Sequence, residues 1–148
     1  MYSKNADTAL RFVNVANQTI EVEVVPRKGS NAICSGCNQP RRGYDSLFPR
    51  RFEHIPIWGF LVFFVYALRR VYCPECGVKV EVVPWATGKN QLTESYSWFL
   101  ANWAKRMSWK EVGECFKTTW YHVFTSVKMA VEWGRERMDL SNISAIGV

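Results

Sequence analysis

Two identically spaced cysteine pairs constrain this chain more than any other feature. Cys34-Ser35-Gly36-Cys37 and Cys73-Pro74-Glu75-Cys76-Gly77 are both C-x-x-C turns. Two intervening residues let one tight turn aim two sulfurs at a single point. Two such turns close a tetrahedral shell around zinc, with metal–sulfur bonds of about 2.3 Å. A closed shell leaves no position for water. The expected ion is therefore one structural zinc on Cys34, Cys37, Cys73 and Cys76. Gly77 permits a backbone that curls amides toward the thiolates. The competing readings are two unrelated cysteine pairs in a core and a cytosolic redox pair. The Pro-x-Cys-Gly knuckle favours zinc over both. Cys115 is left over on an apolar helical face and reads as core. His54 is an alternate ligand by residue type alone.

The gap between the two turns must hold strands of its own. Residues 55–68 form the longest apolar run and supply them. That run is too short to span a bilayer as a helix, which takes about 20 residues. It also contains Pro56 and Gly59 among β-branched and aromatic residues, so it reads as buried strand. No apolar signal core stands at the N-terminus. The expectation is a cytoplasmic protein with no membrane partner.

Earlier, residues 19–25 alternate: Ile20, Val22 and Val24 face one way, Glu21 and Glu23 the other. That is a half-exposed strand, ended by Pro26. Residues 78–83 read as another strand, stopped by Pro84. Near Thr93 the period changes from two to 3.6. Tyr96, Phe99, Leu100, Trp103, Ala104 and Met107 share one helical face. Ser108 and Glu111 form a capping box for a second helix, about residues 109–116. Trp120, Val123, Phe124, Val127 and Val131 stripe a third, about residues 119–133, with Gly134 as a candidate stop. The fold class is α+β: a small zinc-ribbon-like β domain at residues 1–88, then a three-helix, helix-turn-helix domain at residues 89–138.

The formal charge of +6, from 19 basic and 13 acidic side chains, favours a polyanionic partner. Thr119, Tyr121, His122, Thr125 and Lys128 lie on the polar side of the third helix, where they can contact phosphates and base edges. Arg41, Arg42, Arg50, Arg51, Arg69 and Arg70 either form a phosphate-binding patch or pair in part with Asp45 and Glu53.

Several segments together resemble the N-terminal part of the ISL-three family of insertion-sequence transposases. They are Tyr44-Asp45, residues 50–56 (Arg-Arg-Phe-x-His-Ile-Pro), residues 69–77 (Arg-Arg-Val-x-Cys-Pro-x-Cys-Gly), residues 84–86 and residues 108–112. The resemblance covers about residues 20–148. It implies a zinc-binding domain and a helix-turn-helix that recognise the terminal inverted repeats of the element as double-stranded DNA. Gly113 fits the small residue of such a motif, while Lys117 stands where glycine is common.

In that family a ribonuclease-H-like domain follows, whose first strand ends in a pattern like Ile-Gly-Val-Asp-Glu. Residues 139–148, ending Ile146-Gly147-Val148, read as its start. The catalytic acidic set would then lie beyond the sequence, leaving no enzyme activity in these 148 residues. The resemblance further implies a nucleoid-associated prokaryotic protein, with pairing of two copies left open. The alternatives are a zinc-ribbon protein-interaction module, a transposon-derived transcription regulator, and an enzyme using the cysteines for redox chemistry.

Overall fold

A computed structural model describes residues 8–138, with backbone alone for residues 8–14 and Ala16. The expected start of a further domain at residues 139–148 lies outside the described residues. The chain divides into two compact units, after Tyr96. The sequence reading placed the boundary near residue 88. The first unit extends further because the loop after Pro84 is bonded back into it. Thr93 N–H donates to the Glu53 carbonyl at 2.8 Å and Glu94 N–H to the Trp85 carbonyl at 2.7 Å. Leu92 and Tyr96 are fully buried.

The first unit begins with β1 (Thr8–Ala16) and β2 (Thr19–Pro26), antiparallel across a turn at Asn17-Gln18. Next come the short strands β3 (Ala32–Ile33), β4 (Pro40–Arg41) and β5 (Gly43–Ser46). β6 (Arg50–Ile57) and β7 (Phe60–Tyr66) follow, then β8 (Arg69–Cys73) and β9 (Gly77–Val80). A four-stranded sheet runs β1-β2-β7-β6, in which β2 and β7 are parallel and the other pairs antiparallel. A two-stranded sheet holds β3 and β4, and a three-stranded sheet runs β5-β8-β9.

The apolar run of residues 55–68 supplies the end of β6, a two-residue turn and the whole of β7. Trp58 (φ 48°) and Gly59 (φ 81°) both take the left-handed backbone of a two-residue type I′-like turn, which matches strand twist. Trp58 stands at the tip, 95% exposed. On β2 the alternation holds: Val24 is buried and Val22 packs beside it. They join Phe52, Tyr66 and Leu68 in the main core, with Trp85 edge-on to Phe52, Phe64 and Tyr66. Each fully buried side chain of this size stabilises by about 1.5–3 kcal/mol.

Inside this unit Glu81 is a buried carboxylate, at 7% exposure. It accepts from the Tyr66 hydroxyl at 2.7 Å, the Arg69 backbone N–H at 2.7 Å and Arg69 Nε at 2.9 Å. Arg69 also donates to the Ser30 carbonyl at 3.1 Å. Burial and the adjacent Glu81 carboxylate push the Tyr66 hydroxyl above its ordinary range.

The second unit contains α2 (Trp109–Cys115) and α3 (Trp120–Arg137); α1 (Glu94–Trp103) enters it. The Ser108–Glu111 capping box is present in both directions. Thr119 caps α3 by accepting from His122 N–H at 3.2 Å. The bend between the helices needs two special residues. Lys117 takes φ 53°, and a Cβ on Gly113 would sit 3.1 Å from the Thr118 carbonyl oxygen. α3 continues through Gly134 to Arg137, since nothing there demands a left-handed backbone.

Two expectations about this unit need correction. Cys115 is exposed, because the seven-residue α2 buries Val112 and Gly113 and Cys115 falls off that face. The apolar stripe of α3 is not uniformly interior. Val123 and Ser126 are buried, while Trp120 is 63% and Val131 53% exposed. Ser126 can face inward because its hydroxyl donates to the His122 carbonyl at 2.7 Å.

Candidate metal centre

The first cysteine turn links β3 to β4, and the second links β8 to β9. Their symmetry is local and physical. After each pair the chain must reverse, and the next residue takes a left-handed backbone: Asn38 at φ 55° and Gly77 at φ 75°. Glycine does this without penalty and asparagine tolerates it. In the first turn Asn38 N–H donates to the Cys34 carbonyl at 2.9 Å and Gly36 N–H to Cys34 Sγ at 3.4 Å.

Strand bonds then draw the two turns together. Val82 N–H donates to the Ile33 carbonyl at 2.9 Å and Ser35 N–H to the Val80 carbonyl at 3.3 Å. The residues following the second turn therefore grip the first.

The result is a cluster whose four sulfurs all lie within 4.8 Å of one another. Cys37 Sγ and Cys73 Sγ are 3.7 Å apart. A disulfide needs about 2.05 Å. A tetrahedron with metal–sulfur bonds of about 2.3 Å has edges of about 3.8 Å. The donor set and its spacing fit one zinc ion. Cys34 and Cys73 are buried and Cys37 and Cys76 half-buried, so the shell is closed on its inner side.

The electrostatics agree. Burial opposes ionisation of Cys73, but the backbone N–H groups of Cys76 and Glu75 and the Cys37 side chain outweigh it, bringing that thiol down to about 6. Burial and the adjacent Cys73 and Cys37 sulfurs push Cys76 up to about 12. Four thiolates at this spacing repel one another, and a dication is the species that lets all four ionise.

Arg41, one of the arginines the sequence leaves between a phosphate patch and acidic partners, adds a side chain to the centre. Its Nη2 lies 3.7 Å from Cys37 Sγ and 2.9 Å from Glu75 Oε1. It thereby ties the first cysteine turn to the second. The neighbouring sulfur and carboxylate hold its guanidinium firmly charged. One positive charge at the rim offsets part of the net negative charge of a four-thiolate zinc centre.

Here the chain has a counterpart. Residues 30–76 match the zinc-finger of transposase IS204/IS1001/IS1096/IS1165. The matched stretch runs from just before β3 to the fourth cysteine, so it contains the whole donor set. No curated protein matches the chain, and no solved structure does. The zinc finger read from the two cysteine turns is thus met by both geometry and family model. No helix among the described residues is long and apolar enough to cross a membrane.

The other residues singled out in the sequence are dispersed. His54 is away from the sulfurs: its Nδ1 is 2.7 Å from Thr93 Oγ1, and its ring stacks on Phe64. Burial lowers its pKa. Arg69 is committed to Glu81, and Arg70 to Asp45 in a bidentate pair. Arg51 pairs with Glu21 at 2.8 Å, and Arg50 donates to the Lys89 carbonyl at 3.2 Å. Arg42 is exposed. On α3, Thr119 is spent as a cap, and His122 Nδ1 sits 2.9 Å from Thr118 Oγ1. Thr125 donates to the His122 carbonyl at 3.1 Å. Tyr121 and Lys128 are exposed, the latter 3.8 Å from Glu132.

Three residues of the centre escaped the sequence reading. Gly36, Asn38 and Arg41 were either passed over or given another role. The signal for Asn38 was its place directly after a C-x-x-C, matching Gly77. Gly36 matters because a Cβ there would lie 2.7 Å from Cys76 Sγ and 3.0 Å from its Cβ. Gly36→Ala must therefore displace a ligand. We expect the variant to release zinc to a chromogenic chelator at least tenfold faster than the parent. Equal release rates would mean that the turns are not in contact as described.

Proposed function

We propose that this chain is the zinc-binding, DNA-binding N-terminal portion of a transposase, and that it recognises the terminal inverted repeats of an insertion sequence as double-stranded DNA. The observation that carries this reading is the cysteine quartet inside a stretch matching a transposase zinc finger. Zinc orders the ribbon, and α2 and α3 act as a helix-turn-helix with α3 as the reading helix. The tight bend at residues 116–119, with Gly113 closely packed beneath it, supports that assignment.

In this reading the chain itself carries out no strand transfer. That chemistry needs carboxylates holding two divalent metals about 3.5–4 Å apart. Among the described residues, the cysteine quartet is the only cluster of three or more metal-capable side chains. Asp45, Glu21, Glu75 and Glu81 each face an arginine, and Glu111 caps α2. The ligands come from four cysteines, so the zinc keeps no open position and serves structure.

The test is binding to duplex DNA under increasing salt, followed by fluorescence anisotropy. With about six phosphate contacts, affinity should fall roughly a thousandfold between 50 and 200 mM salt. Lys128→Ala should reduce the logarithmic salt slope by about 1, and Tyr121→Ala should relax sequence preference. A protein-interaction module would instead show only weak association with DNA and no preference for any duplex sequence, while its apolar protein interface would be little affected by salt; that outcome would sink the proposal.

A further inference from the structure

The first two turns of α3 carry unusual chemistry for a helix that reads DNA. Residues 120–127 are Trp-Tyr-His-Val-Phe-Thr-Ser-Val, with no arginine, lysine, amide or carboxylate among them. Of the polar side chains there, His122, Thr125 and Ser126 are turned to Thr118 or to the His122 carbonyl. What the helix presents outward is aromatic. Trp120 is 63%, Tyr121 57% and Phe124 37% exposed. Trp120, Tyr121 and Phe124 are in mutual ring contact, with centroids 6.1–6.5 Å apart. Trp109 of α2 backs Phe124 at 5.7 Å. The rings brace one another, so little side-chain freedom is left to lose on binding.

We propose that the first two turns of α3 read duplex DNA through thymine 5-methyl groups, with Trp120, Tyr121 and Phe124 as the apolar contact. This rests on the DNA-binding reading above and names what that helix selects. The major-groove edges divide by chemistry. Guanine is read by arginine or lysine, adenine by asparagine or glutamine, and cytosine by a carboxylate. Only thymine offers an apolar group, its methyl. A helix surface of three exposed rings, whose ring polar atoms are the Tyr121 hydroxyl and the Trp120 indole N–H, has one apolar partner among the bases. Charge favours a nucleic acid over an apolar protein face. Lys117 and Lys128 bracket the stretch, and residues 97–138 hold seven basic against four acidic side chains.

The experiment starts from the zinc-loaded full chain and a selection from random duplex DNA. The enriched site is resynthesised with deoxyuridine replacing thymine, one position at a time. Uracil keeps every hydrogen bond and removes only the methyl. Affinity should fall about fourfold per contacted methyl, the value of one buried methylene, and about 15-fold for two. In Trp120→Ala or Phe124→Ala that discrimination should shrink toward unity. Both side chains are partly exposed, so the variants should fold, which circular dichroism would verify.

If uracil and thymine sites bind alike, the inference fails while the DNA-binding reading stands. Insertion of a ring between base steps would give that same result, since stacking does not need the methyl. Undiminished discrimination in both variants would also overturn it. If no duplex is enriched at all, the inference and the reading beneath it fall together.

Discussion

Chelation of zinc, or Cys73→Ser, is expected to unfold the ribbon while leaving the helical unit intact. The small core beside the metal contains only Ala32 and Val71 besides the cysteines. Two small aliphatic side chains at about 1–3 kcal/mol each cannot offset the ordering of the segments around them, at about 1–2 kcal/mol per residue. The metal must supply the difference, and structural zinc contributes about 10–16 kcal/mol in small zinc-finger peptides. Hydrogen exchange should show protection lost at residues 30–46 and 69–82 on chelation. Protection within residues 109–137 should persist, since α2 and α3 carry their own caps and the buried Val112 and Val123. A chelated protein with unchanged exchange throughout would contradict this.

The second large effect is expected at Glu81. Its carboxylate is the shared partner of Tyr66, of Arg69 Nε and of the Arg69 backbone. Glu81→Ala would strand the Arg69 guanidinium, whose side chain is only 16% exposed, without its counter-charge. Removing one member of a buried ion pair typically costs about 3–5 kcal/mol. Urea denaturation of the zinc-loaded protein should register that loss. Replacing Arg69 and Glu81 together by apolar residues should cost far less, because no charge is then left alone. A loss below about 1 kcal/mol for Glu81→Ala would mean that the network is not holding the strands it bridges.

The cysteine quartet was fully legible, because a repeated spacing carries its own geometry. So was the β2 alternation, since period two fixes which side chains face inward, and so was the Ser108–Glu111 cap. Glu81 was not legible. One carboxylate within Val80-Glu81-Val82-Val83 looks like the exposed phase of a half-buried strand, and its partners lie twelve and fifteen residues away. The arginines were ambiguous for the same reason. Composition places positive charge near the ribbon, but pairing with Asp45, Glu21 and Glu75 depends on sheet register. On α3 the 3.6-residue period identified a helix correctly, yet could not separate interior rings from displayed ones. Ser126, not Trp120 or Val131, takes the interior position.

The same point bears on the proposed reading helix. An apolar side chain on a helix is ordinarily assigned to a core, and a polar one to a ligand. Here Trp120, Tyr121 and Phe124 stand outward together, while His122 and Thr125 bond locally. If α3 binds DNA, its specificity resides in residues that a polarity-based reading of the sequence discounts.

The four-sulfur centre is tested most directly by zinc K-edge X-ray absorption on protein purified without added metal. One zinc per chain with four sulfur neighbours at about 2.3 Å and no nitrogen or oxygen in the shell is the predicted result. A shell containing nitrogen or oxygen, or a folded protein without zinc, would contradict it.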